Sequence, residues 1–280
     1  MIQEIKYVNA NGTEIVLNRG HYTISKNELR NYDWNYTAYN RPSGYGGRVS
    51  FSRGVQEKSI SIGIRGGVGG DFSKYAAELL ALTEPDILNK TPGRLYIGNQ
   101  YIVCYMSVSS KVEHYAHRAG WAIKEVSILT VEPFWHEEIT HFFIKGKAEM
   151  VKDGKRYNGR LPYRYISNMS SSEILNAHYA PSPMRLTIYG AAKNPRIIIG
   201  GHEYTINAQI IEGQRIIIDQ LKKTIVAKNP DGAETSLFDD RDKVNDVFKF
   251  IPPGQNDVIY TGDFDFDIAV ILQRSEPSWS

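Results

Sequence analysis

Ser59-Ile-Ser-Ile-Gly-Ile64 sets polar against apolar residues at every second position, which is the period of a strand buried on one face. Patterns of this kind recur along the chain, with turn residues between them. Ile5–Val8 and Glu14–Leu17 flank Asn11-Gly12, a strong short hairpin signal because Gly reaches the left-handed turn region without strain. Leu95-Tyr-Ile97 and Tyr101-Ile-Val103 are joined across Gly98-Asn99, and Trp121 to Val131 alternates again, less cleanly. The helical period stands out in one stretch: Phe72, Tyr75, Ala76, Leu79, Leu80 and Leu82. Asp71 or Ser73 is placed to cap its first turn, and Pro85 to limit it. The expected fold is mainly β, beginning with a β-sheet domain that carries one amphipathic helix.

At 280 residues the chain has room for one large domain or two modest ones. Glu132-Pro-Phe-Trp135 breaks the strand pattern, and the following His136-Glu-Glu-Ile-Thr-His141 is short and charged. A boundary is expected there, giving domains at 1–135 and 136–280. In the second half, Met150-Val and Tyr157 flank Asp153-Gly154. Strands are then expected at Arg185–Tyr189, Arg196–Ile199, Glu203–Ile206, Arg215–Ile218, Thr224–Ala227, Val258–Tyr260 and Phe264–Leu272, with Ser171–Ala177 as a turn or two of helix. Short strands at this spacing, separated by turn chemistry, predict an antiparallel sandwich.

The net charge of +2 argues against a nucleic-acid binder, which usually carries a strong basic excess. Its distribution is uneven: residues 1–70 hold nine Lys/Arg and five Asp/Glu, and residues 229–280 hold four and eleven. Such polarity helps to stack or orient subunits; the plain alternative is a solvated face. Cys104 is the one cysteine, inside the apolar run Tyr101-Ile-Val-Cys-Tyr-Met106, and is expected to pack as a small hydrophobe. Met1-Ile-Gln-Glu-Ile-Lys6 lacks the basic and apolar regions of a signal peptide, and no apolar run approaches the roughly 18 residues of a membrane helix. The expectation is a protein made in a cytoplasm, with no membrane or nucleic-acid partner.

The motifs that suggest chemistry are incomplete. Gly63-Ile-Arg-Gly-Gly-Val-Gly-Gly70 lies between a strand and a helix, as a phosphate loop does, but Asp71-Phe72 follows where a Walker loop needs Lys-Ser/Thr. His136 and His141 stand five apart, not the four that would put both on one helical face, and His114 and His117 have no third ligand nearby. Asp263, Asp265 and Asp267 alternate with Phe264 and Phe266, which reads as a solvent face opposite a core face. Asp239-Asp240-Arg-Asp242 reads as a turn. No Gly-x-Ser-x-Gly elbow is present. The reading is a non-enzymatic protein with no cofactor and no metal; catalytic carboxylates distant in sequence are the alternative left open.

The segment Asp33 to Gly47 is unusual: it is read as a loop that places Trp34, Tyr36, Tyr39, Arg41 and Tyr45 among small polar residues. Trp, Tyr and Arg are the usual anchors of protein interfaces, so these five are the candidate interface. The competing reading is a partly buried loop with aromatic plugs.

Four stretches together resemble the siphophage distal tail (Dit) proteins. They are the Gly-rich segment running into Asp71-Phe-Ser-Lys-Tyr75; Thr91-Pro-Gly-Arg-Leu-Tyr-Ile-Gly-Asn-Gln-Tyr-Ile-Val-Cys-Tyr105; the strand ending in Glu132-Pro-Phe-Trp135; and Gly213-Gln-Arg-Ile-Ile-Ile-Asp219 with Thr224-Ile-Val226 and Phe248 through Ile259. The resemblance implies an N-terminal domain that forms a homohexameric ring and a C-terminal galectin-like sandwich outside it. It implies docking to the tail tube protein on one face and to a tail-associated fibre or lysin protein on the other, with a receptor-binding protein as a further partner. The implied location is the tail tip of a phage or prophage virion assembled in the host bacterial cytoplasm. The alternative function is a carbohydrate-binding module for cell-wall polysaccharide, with Trp279 or Trp34 as the stacking ring.

Overall fold

The computed structural model describes residues 3–42, 44–66, 72–115, 120–145 and 170–279. They form two compact units, Met1–Glu137 with Gln273–Ser280, and Glu138–Leu272. The second unit is thus inserted in the first, and the last eight residues return to where the chain began. Gly67–Gly70, Asp71, His117 and the segment with Met150, Asp153-Gly154 and Tyr157 lie outside the described residues, as does the side chain of His114.

In the first unit the strands are β1 (Ile5–Val8), β2 (Glu14–Val16), β3 (Tyr22–Asn27), β4 (Asn35–Asn40), β5 (Gly47–Ser52), β6 (Gln56–Arg65), β7 (Gly93–Ile97), β8 (Gln100–Tyr115), β9 (Trp121–Thr130) and the start of β10 (Trp135–Phe143), with one helix, α1 (Ser73–Leu88). The pairings among its described strands β1–β9, and of β10 with β8, are antiparallel. The long β8 serves three neighbours: its first residues pair with β7, which leads to β1 and β2, and with the start of β10, and its later residues pair with β9, which leads to β6 and β3. The two short hairpins turn where expected, with Gly12 at φ 83° and Gly98 at φ 61°.

The alternation of β6 is realised residue by residue. Ile60, Ile62 and Ile64 are buried, and Ile60 faces Val126 across the pair with β9. With Leu95, Ile102, Ile128 and Trp135 they form a core onto which α1 lays Leu79 and Leu82. Each such side chain contributes about 1.5–3 kcal/mol on leaving water.

The helix differs from expectation at both ends. Its N-cap is Phe72, with no side-chain cap, and Ser73 is already helical. At the other end α1 runs through Pro85 to Leu88. Proline removes one helical hydrogen bond, but the turn beyond it is held by tertiary contacts: Asp86 is 1 % exposed, and its carboxylate accepts the Tyr7 hydroxyl at 2.6 Å and the Ala10 N–H at 2.9 Å.

The second unit contains β11 (Ser170–Asn176), β12 (Met184–Tyr189), β13 (Ala192–Lys193), β14 (Arg196–Ile199), β15 (His202–Thr205), β16 (Gln209–Ile210), β17 (Arg215–Asp219), β18 (Thr224–Lys228), β19 (Glu234–Ser236), β20 (Gly254–Tyr260) and β21 (Phe266–Arg274). One sheet has the order β19-β18-β17-β12-β21-β10, and a second has the order β11-β20-β14-β15. Leu186, Ile188, Ile216, Ile218 and Ile268 of the first and Ile174, Ile197, Ile199 and Val258 of the second share one core, so the unit is a β-sandwich. Phe143 and Phe266 stack in it, with ring centroids 4.4 Å apart.

Two expectations fail here. Residues 171–177 are mostly strand, because Ser170–Asn176 pairs along its whole length with β20 and buries Ile174. Asp267 is not on a solvent face with Asp263 and Asp265: β21 is covered on both sides, and Asp267 is buried under a 2.5 Å hydrogen bond from the Tyr189 hydroxyl. Asp239 and Asp240 lie in a 3-10 turn, Phe238–Asp240.

Candidate functional site

The segment expected as a loop is a two-stranded ribbon. β4 and β5 pair from Asn35↔Ser52 to Asn40↔Gly47, and neither belongs to any other sheet. Alternation sorts its side chains. Tyr36 lies opposite Phe51 and Ala38 opposite Val49, which makes one face apolar; Thr37 lies opposite Ser50 and Tyr39 opposite Arg48 on the other. Every residue of both strands is exposed. Tyr36 is 69 % exposed and Tyr45, in the turn, 86 %. Gly47 has to be glycine, because a Cβ there would lie 2.6 Å from the Tyr39 carbonyl oxygen.

At the root of the ribbon the surroundings change. The Arg53 guanidinium lies 5.2 Å from the centre of the Trp34 ring, 4.8 Å from Phe134 and 5.9 Å from Tyr32. It donates to Gln56 Oε1 at 3.0 Å and to Ser275 Oγ at 3.1 Å. Burial lowers the Arg53 pKa, and burial followed by the Arg53 charge lowers that of Lys58, which donates to the Asn31 carbonyl. A planar cation among aromatic faces is a clamp worth about 0.5–2 kcal/mol per ring. Trp34 therefore belongs to the clamp, while Tyr36, Tyr39, Arg41 and Tyr45 stand out along the arm it holds. Phe51, Val49 and Arg53 complete the arrangement. The alternation Val49-Ser-Phe-Ser52 was the signal that could have found the second strand.

The C-terminal residues are tied to the same unit. Arg30 donates to the carbonyls of Pro277 at 2.8 Å and Ser278 at 3.0 Å, its guanidinium stacks 4.1 Å from the Trp279 ring centre, and the Ser278 N–H reaches Gln100 Oε1 at 2.7 Å. Both tryptophans suggested as sugar platforms thus carry a guanidinium against the ring.

The remaining candidates are dispersed. His136 and His141 lie on β10 an odd number of residues apart, so they point to opposite faces. Cys104 is buried, which pushes its thiol pKa up to about 12 and leaves it unreactive at neutral pH. A groove of about 400 Å³ on the outer side of β3, β6 and β9 is lined by Thr23, Ser25, Gly63, Arg65, Trp121 and Ile123, none of which is a carboxylate, histidine or thiol.

No protein-family model matches the chain, and no curated protein does. Solved structures do. The SPP1 Dit protein, described as a hub of the adsorption apparatus in phages infecting Gram-positive bacteria, matches 97 % of this chain and 100 % of its own at TM-score 0.59 and 11 % identity. A chain of the phage P2 baseplate, activated with Ca, matches 99 % and 100 % at TM-score 0.63 and 15 % identity. Its counterpart activated with Sr matches 98 % and 99 % at TM-score 0.62 and 14 % identity. This chain has their fold. Both units of the Dit-like fold are included in these matches, since nearly the whole chain is covered.

Proposed function

We propose that the chain is a non-enzymatic structural hub of a phage or prophage tail tip. Its first unit closes a homohexameric ring that joins the tail tube protein to a tail-associated fibre or lysin protein, and its second unit is a galectin-like sandwich outside the ring. In this reading the particle is assembled in the bacterial cytoplasm, and a receptor-binding protein is a further partner.

The observation that carries the reading is the exposed arm β4–β5, seen in a chain whose fold is that of baseplate hub proteins. A lone two-stranded ribbon is marginally stable in water, and exposed contiguous apolar faces mark binding surfaces. A ring supplies the cover, because each subunit offers one patch to a different patch on the next.

Light scattering across a concentration series tests it. Six copies of the 31.7 kDa chain weigh about 190 kDa, and that mass is expected. A monomer, dimer or trimer that persists to the highest concentration overturns the hexameric hub.

A further inference from the structure

The arm needs a surface on the neighbouring copy, and helix α1 has two apolar faces where one would suffice. Leu79, Leu82 and Thr83 face the core. On the opposite side Ala77, Leu80, Ala81, Ile87 and Leu88 are exposed, with Glu84 as the one charge among them. At about 100° per residue these six fall within an arc of about 120°. Leu80 and Leu88 are more than half exposed. The core does not explain this second stripe.

Resting on the ring reading, we propose that the apolar face of the arm, Tyr36, Ala38, Val49 and Phe51, docks on the outer face of α1 of the adjacent copy. Three observations favour this pairing. The sizes agree: six-residue strands span about 20 Å and a sixteen-residue helix about 24 Å. The residue sizes agree: on the exposed face of α1 the small Ala77 and Ala81 neighbour Leu80, a large-and-small surface on which aromatic side chains pack. The charges agree: the arm carries Arg41 and Arg48, with no acid in residues 34–53, whereas the exposed residues of α1 include Glu78 and Glu84 against Lys74. The groove on β3, β6 and β9 is a poorer seat, because it presents Arg65 to an arm that is itself cationic. An arm meeting a helix is a heterologous contact, the kind that propagates round a ring.

Cysteine cross-linking tests the docking separately from the ring. Cys104 is buried and stays silent. The chain carrying both Tyr36→Cys and Leu80→Cys, treated with a short bismaleimide, is expected to give a ladder of covalent multimers, and each single variant none. A second pair, Phe51→Cys with Leu88→Cys, covers a shifted register. Hexameric mass with no ladder from either pair overturns the docking and leaves the ring standing. Dimers from Tyr36→Cys alone mean that arm meets arm, which also overturns it. A monomeric unsubstituted chain removes ring and docking together. As an independent check, Leu80→Arg is expected to raise the concentration needed for half-association at least about tenfold; an unchanged value counts against the docking.

Discussion

Arg53 holds Trp34 across the root of the ribbon, its guanidinium 5.2 Å from the ring centre. The arm is exposed beyond this point, so its orientation depends on the clamp. Arg53→Ala removes the cation from three rings and is expected to loosen the arm while lowering overall stability by about 1–2 kcal/mol. Trypsin reports it: Arg41 precedes a proline, which leaves Arg48 as the cleavage site within the arm. Cleavage after Arg48 should accelerate several-fold in the variant. An unchanged rate would mean that the clamp does not control the arm.

Tyr7 and Asp86 form a buried polar contact in the first unit. Gly93 completes it, since a Cβ there would lie 2.3 Å from the Tyr7 hydroxyl and 2.7 Å from Asp86 Oδ2. Tyr7→Phe leaves the buried carboxylate short of a donor and is expected to destabilise by about 1–3 kcal/mol. Gly93→Ala forces the pair apart and should cost at least as much. Urea midpoints with an unchanged slope measure both; a Gly93→Ala midpoint equal to that of the parent would refute the close approach.

Tyr189 gives the second unit a dependence on alkaline pH. Its hydrogen bond to Asp267, with burial, raises its pKa from 10.0 to about 12. The folded state therefore binds this proton more tightly than the unfolded one. The stabilisation is complete below pH 10 and is lost as pH rises to about 12. The difference in urea midpoint between parent and Tyr189→Phe should shrink over that window. A difference constant from pH 9 to 12 would show that the hydroxyl proton is not the linked group.

Pro85 interrupts the hydrogen bonds of a helix that continues past it. Pro85→Ala restores a backbone N–H with the fold already in place, and is expected to stabilise by about 1–3 kcal/mol, read as a higher thermal midpoint. A lower midpoint would mean that the proline's rigidity in the unfolded chain outweighs the lost bond.

Where the environment of a strand has two distinct sides, its alternation predicted it well: Ser59–Ile64 and Arg196–Ile199 both lie in strands as expected. Asp267 was misread because β21 has no solvent side. The Ser171–Ala177 segment was misread because its strand is imposed by β20, which is distant in sequence. Pro85 ended the helix in the local reading, and the contacts of Asp86 with Tyr7 and Ala10, likewise distant in sequence, keep it going. The candidate residues were picked out as residue types; Tyr36, Tyr39, Arg41 and Tyr45 lie along the ribbon, and Trp34 lies at its root. The ribbon itself was missed because Gly and Ser dilute its alternation, and the role of Arg53 depends on Phe134, which only the fold brings near.

The return of the tail sets an order of events during synthesis. The carbonyls that Arg30 binds belong to residues 247 and 248 positions downstream, so they are made only after the inserted sandwich. The first unit begins to emerge before the inserted sandwich and is completed only after it. Vectorial synthesis thus withholds a finished first unit from other copies until the sandwich has been made.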